Sequence, residues 1–268
     1  MSTVGSATAL PAIEVRGARL RFGQVVAFSD VSFDVAQGEL FAIIGPNGAG
    51  KTSLFNSLSR VYQPDAGTLR FHGDDLLRKR PKDLAGLGIA RTFQNLALYA
   101  SLPVLENVLI GRHHLMRAGP VSGGIWLGRA RNEERRHRAA ALDALRFVGI
   151  EELATRPVST LPYGLRKRVE LARALAMEPR LLLLDEPVAG MESSERAEMS
   201  ELVSRMHRER GLTILLVEHD MGMVMKIAER VLVLDFGRTI AVGSPAEIQR
   251  DERVIKAYLG VEFEEAAP

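Results

Sequence analysis

The sequence predicts an α/β fold with a mainly parallel core sheet, an antiparallel β annex and an inserted helical subdomain. Three observations carry that reading. Short β-type runs bounded by Gly, Pro, Asn or Asp recur along the chain, and several are continuous apolar runs of the kind found in strands covered on both faces by helices. One of them, residues 40–44, leads through a glycine-rich loop into a helical run at 53–58, a strand–loop–helix unit. Between about 95 and 178 the strand signal stops and helical periodicity takes over.

In chain order, residues 1–12 are small and polar and are expected to form a flexible tail. Strands follow at 13–20, 31–35, 40–44 and 68–71. Within 95–178 a helix opens near Asn132 and places Leu142, Leu145 and Val148 on one face, after a Gly/Ser surface loop at 120–124. A second helix is expected at 165–177. Strands return at 181–184, 213–217, 231–234 and 239–242. The first two and last two strands are expected to be exposed and antiparallel, the others buried. Residues 13–260 are thus expected to form one domain, followed by an acidic tail at 261–268.

Composition narrows the function. Of the residues 46% are hydrophobic and 25% charged, the profile of a folded chain. Lys plus Arg is 35 against 33 for Asp plus Glu, a net charge of +2, which gives no footprint for coating nucleic acid. Arg129, Arg131, Arg135, Arg136 and Arg138 form a basic cluster, but Glu133 and Glu134 interrupt it and no aromatic residue interleaves, so it reads as a solvated helix face. The chain has no cysteine, which excludes a disulfide scaffold, a thiolate metal site and a cysteine nucleophile. The best apolar runs, 181–184 and 214–217, are far short of a membrane span, and residues 1–12 lack the charged start and apolar middle of a signal peptide.

Gly45-Pro46-Asn47-Gly48-Ala49-Gly50-Lys51-Thr52 matches G-x-x-x-x-G-K-[ST] between its strand and its helix. The glycines let successive N–H groups face one concavity, and the helix N-terminus favours an anion there. Lys51 is placed to reach β- and γ-phosphates and Thr52 to offer a hydroxyl to Mg²⁺. The run at 181–184 ends in Asp185-Glu186-Pro187, which puts two acids at the carboxyl edge of a buried strand, where open α/β sheets bind ligands. Asp185 then suits a hydrated Mg²⁺ and Glu186 suits orienting or activating an attacking water. The strand at 213–217 ends in Glu218-His219-Asp220, and His219 suits a hydrogen bond to a γ-phosphate.

Taken in order, these residues resemble the ATP-binding subunits of ATP-binding cassette (ABC) transporters. Phe22, in Arg21-Phe22-Gly23, matches the family's adenine-stacking aromatic, and Gly45 to Thr52 its phosphate loop. Gln94, in Arg91-Thr92-Phe93-Gln94-Asn95, matches the glutamine at the junction with the helical subdomain. Leu161-Pro162-Tyr163-Gly164-Leu165 stands at the signature segment, Asp185 and Glu186 at the metal-site acid and catalytic glutamate, and His219 at the switch histidine. Pro162, Leu165 and Glu192 depart from the family pattern, and Pro162 offers neither hydroxyl nor N–H to a phosphate. Val217-Glu218-His219-Asp220-Met221, the insertion at 113–146, Tyr163-Gly164 and Ala257-Tyr258-Leu259-Gly260 are most similar to the branched-chain amino-acid importer subfamily.

The resemblance implies ATP and Mg²⁺ as ligands and ATP hydrolysis coupled to transport. It assigns catalysis to Glu186, His219 and Gln94, and the metal to Thr52, Gln94 and Asp185. Nucleotide binding falls to Phe22, Gly45, Pro46, Asn47, Gly48, Ala49, Gly50, Lys51, Thr52 and Ser53, with Gly164 contributed from a second chain. The expected partners are a second ATPase subunit, two membrane permeases and, indirectly, a periplasmic solute-binding protein, with no nucleic acid. Gln94, Leu96, Leu98, Tyr99, Leu102 and Val104 are expected to line a groove for a permease helix. The implied place is peripheral, on the cytoplasmic face of the inner membrane. The alternatives are the ATPase of a lipopolysaccharide-type lipid exporter and a soluble ABC protein without a transport role.

Overall fold

The computed structural model describes residues 10–92, 97–116 and 128–265, and the side chains of all of these except 128–130 and 259–265. The chain divides into two compact units, Met1–Pro81 with Gly211–His219 and Ala228–Pro268, and Lys82–Arg210 with Asp220–Ile227. Elements are numbered along the whole chain.

The first unit holds two groups of strands. β1 (Ile13–Phe22) and β2 (Val25–Val35) form a hairpin in which Phe22 faces Val25 and Ile13 faces Val35. β4 (Ala66–Phe71) pairs with the other edge of β1, and β5 (Asp74–Asp75) with β4, all antiparallel. Ile13, Val15, Ala18 and Leu20 turn one face of β1 inward, and a register irregularity between Val15 and Ala18 keeps that face apolar. Ala12 is already buried, and its carbonyl accepts from the His72 N–H.

The second group runs β10-β9-β3-β8. β3 (Leu40–Ile44) lies parallel to β8 (Thr213–Val217) and to β9 (Arg230–Asp235), and β10 (Arg238–Gly243) is antiparallel to β9. Every residue of β3 and β8 is buried, as continuous apolar runs require. The expectation of two exposed antiparallel strands at 231–234 and 239–242 is corrected for the first of them. Val231, Leu232, Val233 and Leu234 are fully buried, as an unbroken apolar run requires, and β10 is the partly exposed one.

Helix α1 (Lys51–Leu58) starts at the end of the glycine-rich loop, before the expected residue 53, and buries Leu54, Phe55 and Leu58. Near the end of the chain Ser244 caps α8 (Pro245–Ile248) in a reciprocal box with Glu247. The last helix, α9 (Glu252–Glu265), runs into the stretch expected to be an acidic tail.

The second unit contains the expected helical segment and two strands besides. β6 (Ile89–Arg91) and β7 (Leu181–Asp185) pair in parallel, with Arg91 opposite Leu183. α3 (Val104–Gly111), α4 (Gly128–Phe147) and α5 (Tyr163–Ala176) pack on one another. α4 opens earlier than Asn132, and it and the turn after it turn Ala141, Ala144, Leu145 and Val148 inward, leaving Leu142 half-buried at the edge of that face. Arg131, Arg135, Arg136 and Arg138 are exposed, a solvated face. α2 (Leu84–Leu87), α6 (Ser193–Arg210) and α7 (Met221–Ile227) complete the unit.

Candidate functional site

In the first unit β3, the glycine loop and α1 follow one another directly. Gly45 (φ +149°) and Gly50 (φ +92°) adopt backbone conformations that L side chains avoid. A Cβ at Gly45 would overlap the Leu234 carbonyl oxygen, and one at Gly50 the Ala27 carbonyl oxygen, so the loop passes too close to β9 and β2 for any other residue. Next to Gly48 there is open space. Lys51 is 8% exposed and curls back over the loop, donating to the carbonyl oxygens of Gly45 at 2.5 Å and Pro46 at 2.8 Å. Thr52 is exposed and Ser53 half-buried at the start of α1, while Asn47 is exposed and Pro46 and Ala49 are buried. A lysine ammonium held at a glycine loop that opens a helix is the residue pattern suited to a polyanionic phosphate.

Other side chains of this unit lie close in the chain to the same elements. Phe22, at the end of β1, is 47% exposed and meets Tyr62 edge-on, its ring centroid 5.0 Å away, which leaves a face for a flat ligand. His219 follows β8 with its side chain 60% exposed, and its Nδ1 lies 3.6 Å from an oxygen of the fully buried Glu218. The same Glu218 oxygen accepts from the His219 N–H at 2.7 Å. Burial pushes the Tyr258 hydroxyl on α9 up to about 12, and the Gly45 amide beside it works in the opposite direction.

The second unit presents the acids. Asp185 ends β7 and is 3% exposed; burial raises its pKa from its ordinary value, opposed by the Arg91 guanidinium. Arg91 Nη2 donates to Asp185 Oδ2 at 3.0 Å, and the Asp185 N–H donates to Thr92 Oγ1 at 3.4 Å. Glu186, the next residue, is half-buried and has a positive φ of 48°. A left-handed backbone at a non-glycine residue costs on the order of 1 kcal/mol. It turns the chain sharply after the buried strand.

The signature segment lies at the start of α5, which begins at Tyr163, before the expected residue 165, with Pro162 at its N-cap. Gly164 is buried and Tyr163 is 40% exposed. Lys167, one turn on, stands 5.9 Å from the Tyr163 ring centre and 3.9 Å from the buried Glu170.

Gln94 and Leu96 lie outside the described residues. Of the rest of the expected groove, Tyr99 (58% exposed) and Leu102 (36%) are on the surface and Leu98 is half-buried. Val104 does not belong to it. It is fully buried at the start of α3, where its N–H donates to the Arg156 carbonyl, so it is core. The loop is held from beneath by the fully buried Asn107, which accepts from the Tyr99 N–H at 2.8 Å and donates to the carbonyls of Tyr99, Leu102 and Pro103 at 3.0, 3.3 and 3.1 Å.

Sequence reasoning did not single out Arg91, Thr92 and Lys167, which act on Asp185 in the second unit, or Glu218, which lies beside His219 in the first. Only Glu218 carried a local signal, a carboxylate closing an apolar strand.

Residues 28–189 match the family model described as ABC transporter, and residues 238–264 the model described as branched-chain amino acid ATP-binding cassette transporter. The chain is 37% identical over 250 residues to the high-affinity branched-chain amino acid transport ATP-binding protein BraF of Pseudomonas aeruginosa, covering 93% of this chain and 98% of the relative. It is 38% identical, with the same coverage, to the corresponding protein LivG of Salmonella typhimurium. Among solved structures it is similar to the ADP conformation of MJ1267, an ATP-binding cassette of an ABC transporter, with a TM-score of 0.80, 28% identity and coverage of 93% and 99% of the two chains.

Proposed function

The chain belongs to the ABC transporter family, and from that premise we propose that it is the ATP-hydrolysing subunit of an importer of branched-chain or related amino acids. The observation that carries the reading is the phosphate loop: a glycine loop closed by steric necessity at Gly45 and Gly50, with Lys51 folded over it. The match of 238–264 to the branched-chain model favours amino-acid uptake over lipid export.

The loop amides and Lys51 bind the nucleotide phosphates, and Phe22 stacks on the base. Glu186 orients the attacking water and accepts its proton, while His219, with Glu218 behind it, donates a hydrogen bond to the γ-phosphate. Gln94 contributes to the same chemistry and to the metal. The donors proposed for Mg²⁺ fit it: the Thr52 hydroxyl and the Asp185 carboxylate are hard oxygens. Mg²⁺ keeps several waters and is held by one or two protein oxygens plus substrate phosphates. Mg²⁺ supplies neutralisation of the phosphate charge.

Each motif occurs once in the chain, so an ATP site is completed by a second ATPase subunit, whose Gly164 amide and α5 N-terminus face the nucleotide. Binding of ATP joins the two copies and hydrolysis parts them. No helix among the described residues is long and apolar enough to cross a membrane. In this reading the solute path belongs to separate permeases, fed by a periplasmic binding protein, with the exposed Tyr99 and Leu102 offering contact to a permease helix and the subunit peripheral on the cytoplasmic face. Replacing the native copy in cells by Lys51→Ala abolishes ATP-dependent uptake of branched-chain amino acids; undiminished uptake refutes the assignment.

A further inference from the structure

Asp185, the carboxylate to which the metal role was assigned above, already has a cationic partner. Because β6 and β7 run parallel with Arg91 opposite Leu183, a long side chain at 91 points along the strands toward the carboxyl end of β7. Arg91 and Asp185 meet at 3.0 Å with side chains only 11% and 4% exposed. The backbone around them is fixed as well: the Thr92 N–H donates to the Leu183 carbonyl at 2.9 Å, and Thr92 Oγ1 accepts from the Asp185 N–H. Lys167, 3% exposed, adds a second positive charge that acts on Asp185, and Glu186 a negative one.

A carboxylate this deeply buried requires a counter-charge, and a guanidinium is charged at every accessible pH. Two cations sharing one carboxylate in a poorly solvated setting repel each other. We propose that Arg91 is the resident counter-cation of Asp185 and competes with Mg²⁺ for its carboxylate, so that metal arriving with nucleotide must loosen the ion pair. This rests on the reading of Asp185 as the metal-site acid. The competition sets the Mg²⁺ concentration at which nucleotide binding tightens, and it keeps the buried acid neutralised throughout the cycle.

The test is calorimetric titration of the full chain with ADP at a series of free Mg²⁺ concentrations, together with thermal melts without nucleotide. Arg91→Met is expected to lower the half-saturating Mg²⁺ about fivefold and to lower the nucleotide-free melting temperature, which Mg²⁺ with ADP restores. Arg91→Lys, which keeps the charge and loses the guanidinium fork, is expected to shift the Mg²⁺ requirement in the same direction by less, and it carries the test if the Met variant does not fold. Asp185→Asn is expected to weaken the Mg²⁺ dependence of binding. A weakened dependence in Asp185→Asn, with an unchanged or raised Mg²⁺ requirement in the Arg91 variants, overturns the competition alone. Wild-type Mg²⁺ dependence in Asp185→Asn overturns the metal reading and the competition with it.

Discussion

Truncating Asn107 to Ala tests how the surface around Tyr99 and Leu102 is held. The carboxamide makes four hydrogen bonds from a fully buried position, one accepted from Tyr99 N–H and three donated to the carbonyls of Tyr99, Leu102 and Pro103. Its NH₂ group has two hydrogens for three acceptors, so the set amounts to about three full bonds at about 1 kcal/mol each, net of water. The expected loss is about 3 kcal/mol, measured by urea unfolding of the full chain. Where only the loop opens, the Tyr99 amide should exchange with solvent about a hundredfold faster, since each 1.4 kcal/mol is a factor of ten. Asn107→Asp should cost at least as much, because it keeps the acceptor for Tyr99 N–H and sets a second oxygen against three carbonyls. A loss below about 1 kcal/mol, with Tyr99 exchange unchanged, refutes the weight given to this side chain in holding the loop.

Two further perturbations address other levels of the account. Leu102→Glu, at a 36% exposed site, should leave ATP hydrolysis by the isolated chain and its melting temperature near wild type while reducing amino-acid uptake at least tenfold; normal uptake rejects the permease contact. Asp251 is held down at about 2 by its hydrogen bonds to the Arg253 guanidinium and amide. A depressed carboxylate contributes stability above its unfolded pKa that is lost as pH falls through the folded one, here between about 3.8 and about 2. A carboxylate NMR titration with a midpoint near 3.9 contradicts this.

What was legible in the sequence was local. The phosphate loop was readable because the steric demands at Gly45 and Gly50 fall within one short stretch, and β3, β7 and β8 because strands covered on both faces need unbroken apolar runs. Phe22, Glu186 and His219 were proposed from their motifs, but the αL turn at Glu186 and the Glu218 carboxylate beside His219 appear only in the structure. The Arg91–Asp185 pair left no trace in the sequence: β6 has three residues, too few for a periodicity, and its partner is distant along the chain. For β9 the expectation of an exposed strand went against the rule for unbroken apolar runs, since Val231-Leu232-Val233-Leu234 is itself such a run and is buried. Val104 misled for another reason: its apolar neighbours suggested a surface groove, whereas α3 turns it into the core.

The central claim, that this chain hydrolyses ATP with Glu186 acting on the attacking water, is tested most directly by Glu186→Gln. The substitution keeps the size of the side chain and removes its basicity. ATP affinity should stay within about twofold of wild type, while the steady-state hydrolysis rate falls by a factor on the order of 10²–10⁴, the usual contribution of a positioned base. Hydrolysis within about threefold of the wild-type rate, with ATP bound normally, contradicts the account.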